Sequence, residues 1–235
     1  GASAQRIAGL GFALLVSPLM TLLLGAHAGV VLVNVLGLIS STLIMPRVWR
    51  DIDWSMFRWL SAFAVFGSGL GIWLATLFSP EAMSVGVGLV VILALGSSLV
   101  LSSGRISQQQ RTPRAIAGFT SGLTNALAGV GGPAVSAYAV LTRWPAQPFA
   151  ATLQPFFVLM GALTATTKLV IDPHSLPPTD WWFWPLVVGG VLAGIWLGER
   201  LLGVVSERQV RLFVIFLAFA GATATLIQGL IGLLS

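Results

Sequence analysis

The 235-residue sequence has no cysteine, only two histidines, and charged side chains at only 8% of its positions. Without cysteine there are no disulfides, no thiolate chemistry and no Cys-ligated metal. His27 and His174 fall in predicted connections far apart in the chain, so no histidine-built metal or catalytic cluster is expected. So few charges, beside 56% hydrophobic residues and a mean hydropathy of +0.94, exclude an ordinary soluble domain; in such domains about a quarter of the residues are charged. No Asp or Glu lies well inside a predicted span, so a carboxylate proton relay or cation site is missing and a cation substrate is disfavoured. What remains is apolar sequence in membrane-length runs, the signature of an all-α polytopic membrane protein. The net charge of +5 comes from basic residues scattered through the connections, which reads as a topology signal and not as a nucleic-acid patch. The chain opens Gly-Ala-Ser without methionine, as a trimmed terminus would, and residues 6–25 run on into a second apolar stretch, unlike a cleaved signal peptide.

Eight apolar stretches are predicted, at 5–25, 28–46, 56–78, 82–103, 115–142, 147–171, 181–203 and 208–234. They form two sets of four. "GIWL" at 71–74 recurs at 194–197, each on the third stretch of its set and each followed by a connection with Glu81 or Glu207. Ser17-Pro18 corresponds to Gly132-Pro133, and Asn34 to Gln154. The collinear order of these matches predicts an internal duplication: residues 1–103 as first repeat, 104–114 as cytoplasmic linker, 115–235 as second repeat.

The Lys and Arg residues decide the topology, because short cytoplasmic loops carry their excess. If every stretch crosses once, eight basic residues face one side and four the other. If stretches one and five are instead broken hairpins that return to the side they came from, Arg47, Arg50, Arg58, Arg105, Arg111, Arg114, Arg143, Arg200, Arg208 and Arg211 all face the cytoplasm, against Arg6 and Lys168 outside. The hairpin arrangement gives the stronger bias. Each half is then a broken-helix hairpin followed by three transmembrane helices, and the odd number of crossings inverts the second repeat. The loop at 172–184, with Trp181, Trp182 and Trp184, lies outside as an interfacial belt, and Lys168 is expected to snorkel outward. Glu199-Arg200 and Glu207-Arg208 fall at a cytoplasmic helix end, where solvated or paired charges are expected.

The fifth stretch, "RAIAGFTSGLTNALAGVGGPAVSAYAVLTR" at 114–143, carries the chemistry. Residues 115–129 make a half-helix about 22 Å long at ~1.5 Å per residue, enough to pass the middle of the bilayer. Gly129, Gly131 and Gly132 permit the reversal, and Pro133 suits the first turn of the returning half-helix. Free N–H groups from Gly132 to Val135, with the positive end of that helix's dipole, make an anion site. Ser17 as N-cap before Pro18 gives the first hairpin the same logic. Asn34 and Gln154 add amide donors from matching repeat positions, Pro155 loosens the helix beside Gln154, and Asn125, Ser121 and Thr124 complete the pocket. Gly118 and Gly122 are expected to serve helix packing.

"GFTSGLTNALAGVGGPAVSAYAVL" resembles the repeat motif of the sulfite exporter TauE/SafE family of membrane transporters, and "GLGFALLVSPLMTLLLG" with "AHAGVVLVN" is similar to its first-half counterpart. The first half departs from the pattern, with Val16-Ser17 where the second has Gly131-Gly132. The resemblance covers essentially the whole chain and implies a carrier of small anions such as sulfite or sulfonates in a bacterial inner membrane. The expectation is therefore a secondary transporter working by alternating access, with no enzymatic activity, cofactor or metal. A passive anion channel and a non-transport assembly subunit remain alternatives, and a coupling proton or sodium ion and a homodimer are left open. An intramembrane hydrolase at Ser121 is disfavoured, since neither histidine lies in a span to serve as its base.

Overall fold

The computed structural model describes residues 16–100, 107–173, 182, 185, 189 and 207–234. Its helices are numbered here α1 (16–24), α2 (Ala26–Val48), α3 (Trp54–Leu77), α4 (Pro80–Val100), α5 (Arg111–Ala128), α6 (Gly132–Thr142), α7 (Ala146–Ile171) and α8 (Glu207–Leu234). The first arm of the first hairpin, the stretch at 190–203 with its "GIWL" and Glu199-Arg200, and Trp181, Trp184 and His174 lie outside the described residues.

Local chemistry sets the helix ends. Gly25 at φ 82° separates α1 from α2, its N–H closing α1 on the Thr21 carbonyl at 2.9 Å. The Asp53 side chain caps α3 by accepting the Met56 N–H at 2.9 Å. Ser79 does the same for α4 through the Ala82 N–H, and Pro80 sits in that helix's first turn. Pro155 leaves α7 unbroken as a single helix, and Gln154 beside it donates to the Ala150 carbonyl at 3.1 Å.

Among the described residues, Ala26–Asp51, Trp54–Leu77 and Ala146–Ile171 are long and apolar enough to cross a membrane. On α3, Phe66, Leu70, Trp73 and Leu77 are all exposed and recur at helical spacing on one face. Water would penalise such a stripe and hydrocarbon accepts it.

Glycine brings the helices into contact. A Cβ on Gly118 would stand 2.5 Å from the Leu60 carbonyl oxygen, one on Gly122 2.0 Å from that of Ala64, and one on Gly67 2.0 Å from that of Phe119. These pairs rise together, so α3 and α5 run parallel at backbone contact, and the packing role of Gly118 and Gly122 holds. The Ser68 hydroxyl bridges the seam to the Gly122 carbonyl at 3.1 Å. By contrast α2 and α7 are antiparallel: Gly161 meets Asn34 and Leu38, while Thr152 accepts the Asp53 N–H at 2.9 Å. α4 and α8 are antiparallel too, with Gly88 against Ala222 and Leu226 and Gly229 against Glu81 and Val85.

After α5 the chain doubles back. The Tyr138 hydroxyl on α6 donates to the Gln108 carbonyl just before α5 at 2.8 Å, and Arg114 donates to the same oxygen at 2.6 Å. Tyr138, Trp144 and Phe149 pack beside Met56 and Ala117, at the starting ends of α3 and α5. Residues 111–142 therefore form a hairpin whose tip, at Ala128 and Val130, is buried among Val30, Val87, Val91 and Ala222.

Candidate functional site

The hairpin turns at Gly129, whose φ of 69° is a left-handed conformation that glycine takes without steric cost. Its N–H closes α5 on the Asn125 carbonyl at 2.8 Å. Gly131 and Gly132 do not share the positive φ expected of them; Gly131 is the N-cap of α6 at φ −91°. Close approach explains Gly131 instead, since a Cβ there would lie 3.0 Å from Ser121 Oγ and 3.2 Å from Asn125 Cβ. Pro133 takes the first turn of α6, as expected.

A broken helix exposes both carbonyls and N–H groups. Ser17 on α1 donates its hydroxyl to the Ala128 carbonyl. Ser121 donates to the Gly131 carbonyl at 2.6 Å, and Ser136 to that of Gly132 at 2.8 Å. Three carbonyls at the break, those of Ala128, Gly131 and Gly132, are thus occupied. The donors are not: α6 has no side-chain cap, and the N–H groups of Gly131, Gly132 and Ala134 precede the first carbonyl a helix can offer them. Val135, counted among the free donors in the sequence, is four residues past the N-cap and within reach of the Gly131 carbonyl. These donors, with the positive end of an 11-residue helix behind them, favour an anion at the start of α6.

Beside it three helices share one amide cluster. Asn125 on α5 donates to Asn34 Oδ1 on α2 at 2.7 Å and to Thr164 Oγ1 on α7 at 3.2 Å. Asn34 in turn donates one N–H to the Val30 carbonyl at 2.9 Å. Its second amide N–H and the Thr164 hydroxyl hydrogen have no acceptor among the described residues. Thr21, one turn after Ser17, is buried with its hydroxyl unpartnered. Ser17, Ser121 and Thr164 are fully buried, and Asn34 and Asn125 are at most 5% exposed.

Of the residues expected at the site, the structure brings together Ser17, Asn34, Ser121, Asn125, Gly131, Gly132 and Pro133. Thr124 bonds back to Thr120 and Ser121 of its own helix. Pro18 faces α8, where its carbonyl accepts the Thr225 hydroxyl at 3.1 Å. Gln154, though buried, stands ten residues from Thr164, about 15 Å along α7 at ~1.5 Å per residue. Sequence reasoning missed Thr164 and Thr21. The polar run "TATTKL" at 164–169, inside an apolar stretch, was the available signal for the first. His27, expected in a connection, lies in the first turn of α2, half-buried. Lys168, expected to snorkel, is only 7% exposed.

Among known families, the one described as sulfite exporter TauE/SafE matches residues 1–232. No curated protein and no solved structure matches the chain.

Proposed function

The chain belongs to the sulfite exporter TauE/SafE family, a family of membrane transporters of sulfur anions and not of enzymes, and on that premise we propose a secondary carrier that holds its anion at the break between α5 and α6. The observation that carries this reading is the uncapped start of α6. Hydroxyls occupy the carbonyls of Ala128 and Gly131, which would otherwise repel an anion, and the N–H groups of Gly131, Gly132 and Ala134 are left to attract one. Asn34 and Thr164 supply further donors from α2 and α7. The anion is a sulfite or short sulfonate, small enough for a site built from backbone and two side chains.

Alternating access fits the burial. A site whose side chains are shut away from both faces cannot conduct as an open pore; it has to be opened by movement. The repeat reading supplies that movement. With residues 1–103 and 115–235 as inverted repeats, α2 is the counterpart of α7 and α4 of α8. Helices beside a pseudo-two-fold axis in the membrane plane touch their own counterparts in antiparallel fashion, and both pairs do. The membrane is a bacterial inner membrane in this reading, with the 104–114 linker in the cytoplasm.

Counterflow tests the proposal. In proteoliposomes preloaded with unlabelled sulfite, the carrier drives transient accumulation of labelled sulfite above equilibrium. Flux that only follows its own gradient, without accumulation, shows a channel instead.

A further inference from the structure

One buried charge has no part in the site described so far. Lys168 on α7 is only 7% exposed. A lysine within a membrane span costs several kcal/mol unless something compensates it. Its ammonium has no hydrogen-bond or ion-pair partner among the described residues. Asp172, one turn on, uses its backbone N–H to close α7 on the Lys168 carbonyl at 2.8 Å. His27, on the first turn of α2, is the other titratable group facing this corner, within electrostatic reach of both Lys168 and Asp172.

Position supplies the purpose. Lys168 is four residues from Thr164, so the two lie on one face of α7 about 6 Å apart along the axis. Helical side chains lean toward the N-terminal turn, and for Lys168 that is the turn carrying Thr164. The hydroxyl of Thr164 already holds Asn125 beside the hairpin tip. A cation thus stands one helical turn to the outer side of the amide cluster, where an anion would pass or rest between the outer face and the break.

Resting on the carrier reading above, we propose that Lys168 and Thr164 form an outer anion subsite, which takes a small sulfur oxyanion or sulfonate and supplies the full positive charge that the break itself lacks. The charge also keeps cations out of this corner. Lys168 is here a binding residue retained at a cost to stability, and that separates it from a structural lysine.

The test is Lys168→Met, which keeps the length and apolar stem and removes only the charge. Sulfite is the probe, with flux measured in proteoliposomes and melting measured in detergent. The subsite predicts opposite changes: a raised Tm, because an unpaired buried charge is gone, together with a KM raised about 10- to 100-fold through loss of a charge-assisted contact. Lys168→Arg restores the KM to within a few fold. A lowered Tm or failure of Lys168→Met to fold makes the lysine structural and overturns the proposal; so does an unchanged KM. If the wild-type protein moves no sulfite or short sulfonate at all, the carrier reading itself fails, an outcome distinct from either.

Discussion

Replacing Gly122 with alanine attacks the seam that holds the hairpin to α3. The new Cβ would stand 2.0 Å from the Ala64 carbonyl oxygen, 2.7 Å from its carbon and 2.8 Å from its Cα. An ordinary C···O contact is about 3.3 Å or more, so the helices must separate by roughly 1 Å at that level. Because all three neighbours are backbone atoms, no side chain can rotate out of the way. Overpacking of this kind costs about 1–3 kcal/mol. The hydrogen bond from Ser68 to the Gly122 carbonyl, at 3.1 Å, stretches with it and adds about 1 kcal/mol. The total is about 2–4 kcal/mol, which for a chain of this size lowers Tm by roughly 5–15 °C. Tryptophan fluorescence of the purified protein in detergent reads the melting. The control is Gly69→Ala on α3, the other helix of the seam, where a Cβ meets nothing within 4 Å. Alanine is the better helix former there by about 1 kcal/mol, so that variant melts at or above the wild-type temperature. If Gly122→Ala melts within about 2 °C of wild type, or Gly69→Ala falls as far, the backbone-contact account of the α3–α5 seam is wrong.

Two further substitutions probe the break directly. Ser121→Ala removes the buried hydroxyl that donates to the Gly131 carbonyl; the expected cost is about 1 kcal/mol, read as a lower Tm, and sulfite flux falls because that carbonyl's second lone pair is now free beside the anion. Asn125→Leu removes the donor shared by Asn34 and Thr164, and the KM for sulfite in proteoliposomes rises at least about tenfold; an unchanged KM would dissociate the amide cluster from the site.

Much of the site was legible in the sequence because it is local. Gly129 to Pro133 sit within five residues, and glycine, proline and the neighbouring serine each carry a backbone meaning that spacing reveals. The membrane-length stretches were legible from composition for the same reason, since hydropathy needs no partner. Register between helices was not. Asn125 meets Asn34 across 91 positions, and helical periodicity assigns a residue to a face without saying which residue of another helix it will meet. Gln154 shows this most plainly: its repeat position matched that of Asn34, yet the antiparallel packing of α2 on α7 sets Gly161 against Asn34 and leaves Gln154 about two turns away. Lys168 failed for a related reason. Nearness to a helix end suggested snorkelling, whereas burial followed from the face of α7 that α2 covers. Gly25 divides α1 from α2 with a single residue, close to the division the sequence predicts between stretches 5–25 and 28–46.

The central claim, that an anion sits on the N–H groups at the break, is tested most directly by equilibrium binding to purified protein. Titration calorimetry with sulfite, repeated with a short sulfonate, is run on wild type and on Gly132→Leu, which places a branched side chain in the first turn of α6 where the anion would lie. The account predicts one saturable site in the wild type and none in a folded Gly132→Leu variant. Equal affinity in the two proteins would contradict it.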